Sequence, residues 1–226
     1  MGGPTEDIGA ETDTGRAEGF SDGVLAIVIT LLVLDLRMPE VEPGRLLSEL
    51  LEQWPSYAAY VASYLYIAVV WLNHKATFGR IRRADRGLHW MNLLVLFSTA
   101  LLPFPTSVLS RALQEHNLAD QRVAAALYAL VGAVLSASWL AFYHYLATHR
   151  ELLVDGVDER FFPSERLRAV IGLVLYAVAG LLGVLVTPLA SLVIFILLPP
   201  FYGLTSGGLY SAPLVSRGRT RGGAGS

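Results

Sequence analysis

The stretch RAEGFSDGVLAIVITLLVLDL, residues 16–36, decides the fold. A helix rises 1.5 Å per residue, so crossing about 30 Å of hydrocarbon takes about 20 largely apolar residues, with a working minimum near 17. The run from Phe20 to Leu36 meets that minimum. Working outward, five more segments do the same: Trp54–Asn73, Leu88–Leu109, Val123–Ala147, Leu167–Val186 and Ala190–Leu209. The last two are separated only by a tight Thr187-Pro188 turn. All six runs are continuously apolar rather than alternating, and a barrel strand would need only about 10 residues of alternating pattern. The expected fold class is an all-α membrane protein with six transmembrane helices per subunit.

Composition excludes much else. Charged residues make up 16% of the 226 positions and hydrophobic ones 54%, too little polar surface to solvate the outside of a soluble domain. There is no cysteine, hence no disulfide scaffold and no thiolate metal site. The formal net charge of −2 gives no basic face for nucleic acid. No phosphate loop, nucleophile elbow or His-Glu-x-x-His motif occurs, so no enzymatic activity and no cofactor are expected. A Thr-Val-Gly-Tyr-Gly filter and a helix with arginine at every third position are also missing.

Thirteen of the 17 basic residues fall on one side of the six-helix arrangement, at Arg16, in the second-to-third and fourth-to-fifth connections and in the tail. Only Arg37, Arg45, Arg111 and Arg122 lie on the other. The positive-inside rule therefore expects both termini to be cytoplasmic. Residues 1–15 are acidic and rich in Gly and Thr, and 211–226 form a basic, Gly-rich tail; both are expected to be disordered around a channel-sized unit of residues 16–210. The start of the chain lacks the basic-then-apolar order of a signal peptide, so the first apolar run is expected to be retained.

Within the first run, Asp22 and Asp35 are ionisable groups at or near membrane depth, where a carboxylate needs a partner or water. Ile27, Leu31 and Leu34 follow at i, i+4 and i+7 and share one helical stripe, with Thr30 beside it. Asp22 lies about 140° around the helix from Ile27 and serves another face. Spacing alone leaves the stripe open between packing, lipid contact and a pore lining. Ser21, Asp22, His74 and Asn92 share the inner third of their helices, so they are candidate partners for one another. For His74 an interfacial helix-end residue, and for Asn92 an ordinary interhelical hydrogen bond, are the alternatives. Thr30 can offer its hydroxyl to an ion or back-bond to its own helix. Asp35 is either a charge that attracts cations to the outer mouth or a headgroup-level helix-end charge.

The pattern Arg16-x-x-x-Phe20-Ser21-Asp22 followed by Gly-Val-Leu-Ala-Ile resembles the first-helix signature of the bacterial transmembrane protein 175 family of potassium-permeable channels. Trp71-Leu-Asn-His74-Lys-Ala-Thr-Phe78 in the second helix is similar to that family's tryptophan–histidine stretch. Asn92 and Leu102-Pro103-Phe104-Pro105-Thr106 continue the likeness through the first half of the chain. The resemblance implies a homotetramer in the bacterial inner membrane, with four first helices around a pore for potassium and other monovalent cations. It places the constriction on Ile27, with Leu31 and Leu34 as further layers, and no metal beyond potassium in transit. It also implies that Phe20, Ser21 and Asp22 anchor the inner end of the pore helix, with His74 and Asn92 as partners. The competing reading is a proton-coupled secondary transporter with Asp22 and His74 as a relay. Such carriers show repeats and broken helices around a midplane site, and no repeat is evident.

Overall fold

The computed structural model describes residues 5–36, 38, 41–115 and 117–205, and for residues 5–12 and Asp35 it describes the backbone alone. Eight α-helices follow in order: α1 Thr5–Leu31, α2 Leu46–Glu52, α3 Trp54–Phe78, α4 Arg86–Ala100, α5 Pro103–Gln114, α6 Leu118–Thr148, α7 Phe161–Leu185 and α8 Pro188–Thr205. A 3-10 turn, Leu32–Asp35, extends α1, and another, Arg150–Leu152, follows α6. Among the described residues six stretches are long and apolar enough to span a membrane, so the six expected crossings are present and the chain is a multi-pass membrane protein.

The third crossing is built from two helices. Pro103 and Pro105 have no N–H to give, so the ladder breaks at Leu101 and Leu102. Turn bonds bridge the gap, Leu102 N–H to the Thr99 carbonyl at 3.1 Å and Phe104 N–H to the Leu101 carbonyl at 3.2 Å. Helix α6 packs against α4, α5, α7 and α8 and forms the centre of the subunit. Gly132 on α6 makes room for α7, since a Cβ there would stand 2.2 Å from the Tyr176 ring.

Two connections on one side of the bundle are tied together. Ile81 and Leu153 form an isolated antiparallel bridge, with Arg82 N–H donating to the Leu152 carbonyl at 2.8 Å and Val154 N–H to that of Arg80 at 3.0 Å. Nearby, Asp85 caps α4 by accepting the Leu88 N–H at 2.7 Å and also accepts the Tyr145 hydroxyl at 2.7 Å. Gly87 makes room for that contact, since a Cβ there would sit 2.1 Å from the Tyr145 hydroxyl. Partial burial raises the Asp85 pKa, but the Leu88 and Tyr145 bonds outweigh it and hold the carboxyl below its ordinary value. The stabilisation from this lowered pKa is present above the unfolded value, about 3.9, and is lost as pH falls through the lower folded value. Asp85→Ala is expected to cost about 1 kcal/mol, the worth of a helix cap, in thermal unfolding near neutral pH. The difference from the parent should shrink below about pH 4.

One boundary differs from the sequence reading. The segment 1–15, expected to be disordered, is helical from Thr5 onward as the start of α1. Composition registers its polarity but not its docking. Asp13 Oδ2 lies 3.2 Å from His89 Nε2 on α4, and Thr14 is buried. The basic tail expected at 211–226 lies outside the described residues.

Candidate functional site

Helix α1 attaches to the subunit by one face. Ser21, Leu25, Val28 and Leu32 recur at helical spacing, are all buried, and pack toward α3 and α4. The opposite face is uncovered: Phe20, Ile27, Leu31 and Leu34 are 56%, 61%, 43% and 69% exposed. Arg16, Gly23 and Thr30 fall on the same side and are also exposed. Of the six crossings α1 is the least buried within its own chain, at 28% of its apolar window. The stripe derived from spacing is therefore a real surface that the subunit itself does not cover. Thr30 spends its proton on a back-bond to the Ile27 carbonyl at 2.8 Å, leaving oxygen lone pairs on the exposed face. The backbone of Asp35 closes the 3-10 turn, and its side chain lies outside the described residues.

The inner end of α1 is held by a chain of hydrogen bonds. Ser21 Oγ donates to the Ala17 carbonyl at 2.8 Å and accepts from Asn92 Nδ2 at 2.9 Å. Asn92 Oδ1 lies 2.9 Å from His74 Nε2, so with the amide directed at Ser21 the histidine carries its proton on Nε2. The His74 ring is fully buried and stacks on Phe78 at 4.2 Å between centroids, and its Nδ1 has no partner among the described residues. Three helices, α1, α3 and α4, meet in this network. Asp22 takes a different partner, the Trp71 Nε1–H at 2.9 Å, on the same stretch of α3 that supplies His74. Thus Ser21, His74 and Asn92 come together, Asp22 joins α3 one turn away, and no hydrogen bond links Asp22 to His74 as a relay would require. Phe20 and Arg16 belong to the exposed face rather than to the network. Asn92→Leu is expected to leave the buried His74 Nε2–H unpaired and to cost about 1–3 kcal/mol, read as a lower unfolding midpoint.

A second polar centre was not legible in the sequence, where Arg168 reads as one of several loop basic residues. Glu165 and Arg168, one turn apart on α7, are 3% and 9% exposed and form a short ion pair. Arg168 Nη2 also reaches the Tyr202 carbonyl on α8 at 3.4 Å, and its Nε has no partner among the described residues. A cavity of about 30 Å³, lined by Tyr66, Ser136 and Tyr143 besides this pair, has room for a water against that nitrogen. Arg80 lies at the end of α3 with its guanidinium over the Phe161 ring at 4.2 Å. Burial lowers its pKa, and the opposing pull of Glu165 offsets part of that.

Among the described residues no group of three or more His, Asp or Glu could hold a metal ion. Six spanning helices, one of them presenting an apolar stripe that its own chain leaves bare beside a hydrogen-bonded anchor, define a multi-pass membrane protein. The family model described as endosomal/lysosomal potassium channel TMEM175 matches residues 16–103. The chain is 40% identical over 192 residues to potassium channel B446_29190 of Streptomyces collinus, covering 84% of this chain and 92% of that protein. It is 30% identical over 199 residues to the mouse endosomal/lysosomal proton channel TMEM175, covering 82% of this chain and 38% of that longer one. Its fold superposes with TM-score 0.75 and 34% identity on the crystal structure of a lysosomal potassium-selective channel TMEM175 homologue from Chamaesiphon minutus, covering 87% of this chain and 99% of that one. The chain belongs to the TMEM175 family, a family of channels and not of enzymes.

Proposed function

We propose that this protein is a potassium-permeable cation channel of the bacterial plasma membrane, a homotetramer with α1 at the four-fold axis and both termini in the cytoplasm. The observation that carries the reading is the exposure of Phe20, Ile27, Leu31 and Leu34 on the crossing least covered by its own chain. An ion path lined by these stripes has to form between copies, and a symmetric ring around them supplies one. Ile27 forms the narrowest ring, with Leu31 and Leu34 above it. The Ser21–Asn92–His74 network and the Asp22–Trp71 bond fix the inner end of each pore helix against α3 and α4. Methyl groups cannot replace an ion's hydration shell. The ring therefore gates by excluding water when narrow and favours the ion that sheds water more cheaply, which is potassium over sodium.

Flux from liposomes under a potassium gradient, with an ionophore for the counter-ion, tests the reading. Rapid, gradient-driven flux with no coupled substrate supports a channel, and flux that requires a proton gradient supports a carrier. Four Asp35 carboxylates around the outer mouth concentrate cations there, an effect that fades as salt shortens the Debye length to about 3 Å at 1 M. Asp35→Asn is accordingly expected to lower single-channel conductance at low salt and to match the parent at high salt. Equal conductance at low salt would reduce Asp35 to a headgroup-level charge.

A further inference from the structure

We infer that the groove between α6 and α7 binds one anionic phospholipid, its acyl chain on the apolar walls and its phosphate against Arg166 and His144. The groove encloses about 650 Å³. Ala137 and Ala141, one turn apart on α6, keep one wall low, and Leu167 and Val170 on α7 form the other. Leu167 is 60% exposed, so its own chain leaves the wall bare.

The two basic groups lie at a common level. His144 comes four residues before the end of α6 and Arg166 five residues after the start of α7. At 1.5 Å per residue both stand within about 8 Å of their helix ends, which is headgroup depth for helices that cross a bilayer. No carboxylate lines the groove. Glu165, the neighbour of Arg166, points into the bundle and is taken by Arg168. The Arg166 side chain has no hydrogen bond or ion pair with another described residue. An apolar trough that ends in an unspent guanidinium has the shape and charge of an anionic lipid, and the forked donors of arginine suit phosphate oxygens. A zwitterionic lipid fits the trough equally well, but its own ammonium cancels the attraction. Free phosphate would have no use for the apolar walls. The side of the bundle that carries most of the basic residues also faces the more anionic leaflet under the positive-inside rule.

The test is native mass spectrometry of the full-length protein in mild detergent, titrated with phosphatidylglycerol or with phosphatidylcholine of the same acyl chains. The parent is expected to prefer phosphatidylglycerol by about five-fold or more, the worth of one basic residue near an anionic surface. The Arg166→Gln, His144→Asn double variant is expected to lose that preference while binding phosphatidylcholine as before. Leu167→Trp, which fills the trough and leaves the basic mouth intact, is expected to weaken both lipids and serves should the double variant fail to assemble. Equal binding of the two lipids by the parent would overturn the proposal. So would a preference that survives the double variant, or phosphatidylglycerol displaced by inorganic phosphate alone. Subunit-to-subunit disulfides from Leu167→Cys would also overturn it, by assigning the groove to a second copy of the chain.

Discussion

Arg168→Ala is expected to lower the unfolding midpoint of the detergent-solubilised protein sharply, by the equivalent of about 3–5 kcal/mol. The reason is what the substitution leaves behind. Glu165 is 3% exposed, and without the Arg168 guanidinium its carboxylate loses its short ion pair and is left to the pull of Arg80. The contact to the Tyr202 carbonyl, which ties α7 to α8, goes as well. For a domain of this size that loss corresponds to a fall on the order of 10 °C. Replacing both members with apolar residues, Glu165→Met with Arg168→Met, is expected to recover most of it, because a buried pair contributes little beyond cancelling its own desolvation. A single variant as stable as the parent would mean that water reaches the pair freely, and the cavity beside it would then have to be an open vestibule.

Ile27→Asn carries the other large effect, on permeation rather than stability. Ile27 is 61% exposed on a face its own chain does not cover, so the substitution disturbs no packing within the subunit. In the proposed tetramer, four amides would replace four apolar side chains at the Ile27 ring with little change in bulk. Water then remains in the constriction, and the dehydration cost that separates potassium from sodium falls. Conductance is expected to rise several-fold and the reversal potential in mixed potassium and sodium to move toward non-selectivity, where each ten-fold in permeability ratio corresponds to about 1.4 kcal/mol of barrier difference. Leu34→Asn is expected to do less, because the outer layer of the proposed pore is expected to be wider. Unchanged conductance and unchanged reversal potential for Ile27→Asn would remove the hydrophobic ring from the mechanism while leaving the protein a channel.

How much of this was legible in the sequence differs from feature to feature. The six crossings follow from apolar length, a property of composition along the chain, and the Ile27, Leu31, Leu34 stripe follows from helical period. The meeting of Ser21, His74 and Asn92 was approached through shared membrane depth, which ranks partners without pairing them. Depth cannot tell that Asp22 bonds Trp71 rather than His74, because that depends on the rotation of α1 against α3. The extension of α1 to Thr5 has a related cause: a polar segment docks through Asp13, next to the buried Thr14, onto a helix some 75 residues away in sequence, and local composition holds no trace of it. The Glu165–Arg168 pair was hidden among basic residues that the positive-inside pattern already accounted for. The one available signal was an i, i+3 acid–base pair at the start of an apolar run, which reads equally well as a solvated helix end.

The placement of α1 at the axis is tested most directly by oxidative cross-linking of Ile27→Cys in this cysteine-free chain. The account predicts disulfide-linked subunits from Ile27→Cys. It predicts none from Val28→Cys, one residue along, which is buried against its own subunit. Cysteines can join only when their backbones come within about 7 Å, so the bond reports the ring itself. Ile27→Cys chains that stay monomeric on oxidation, and that react instead with a thiol reagent confined to the lipid, would contradict the axial placement.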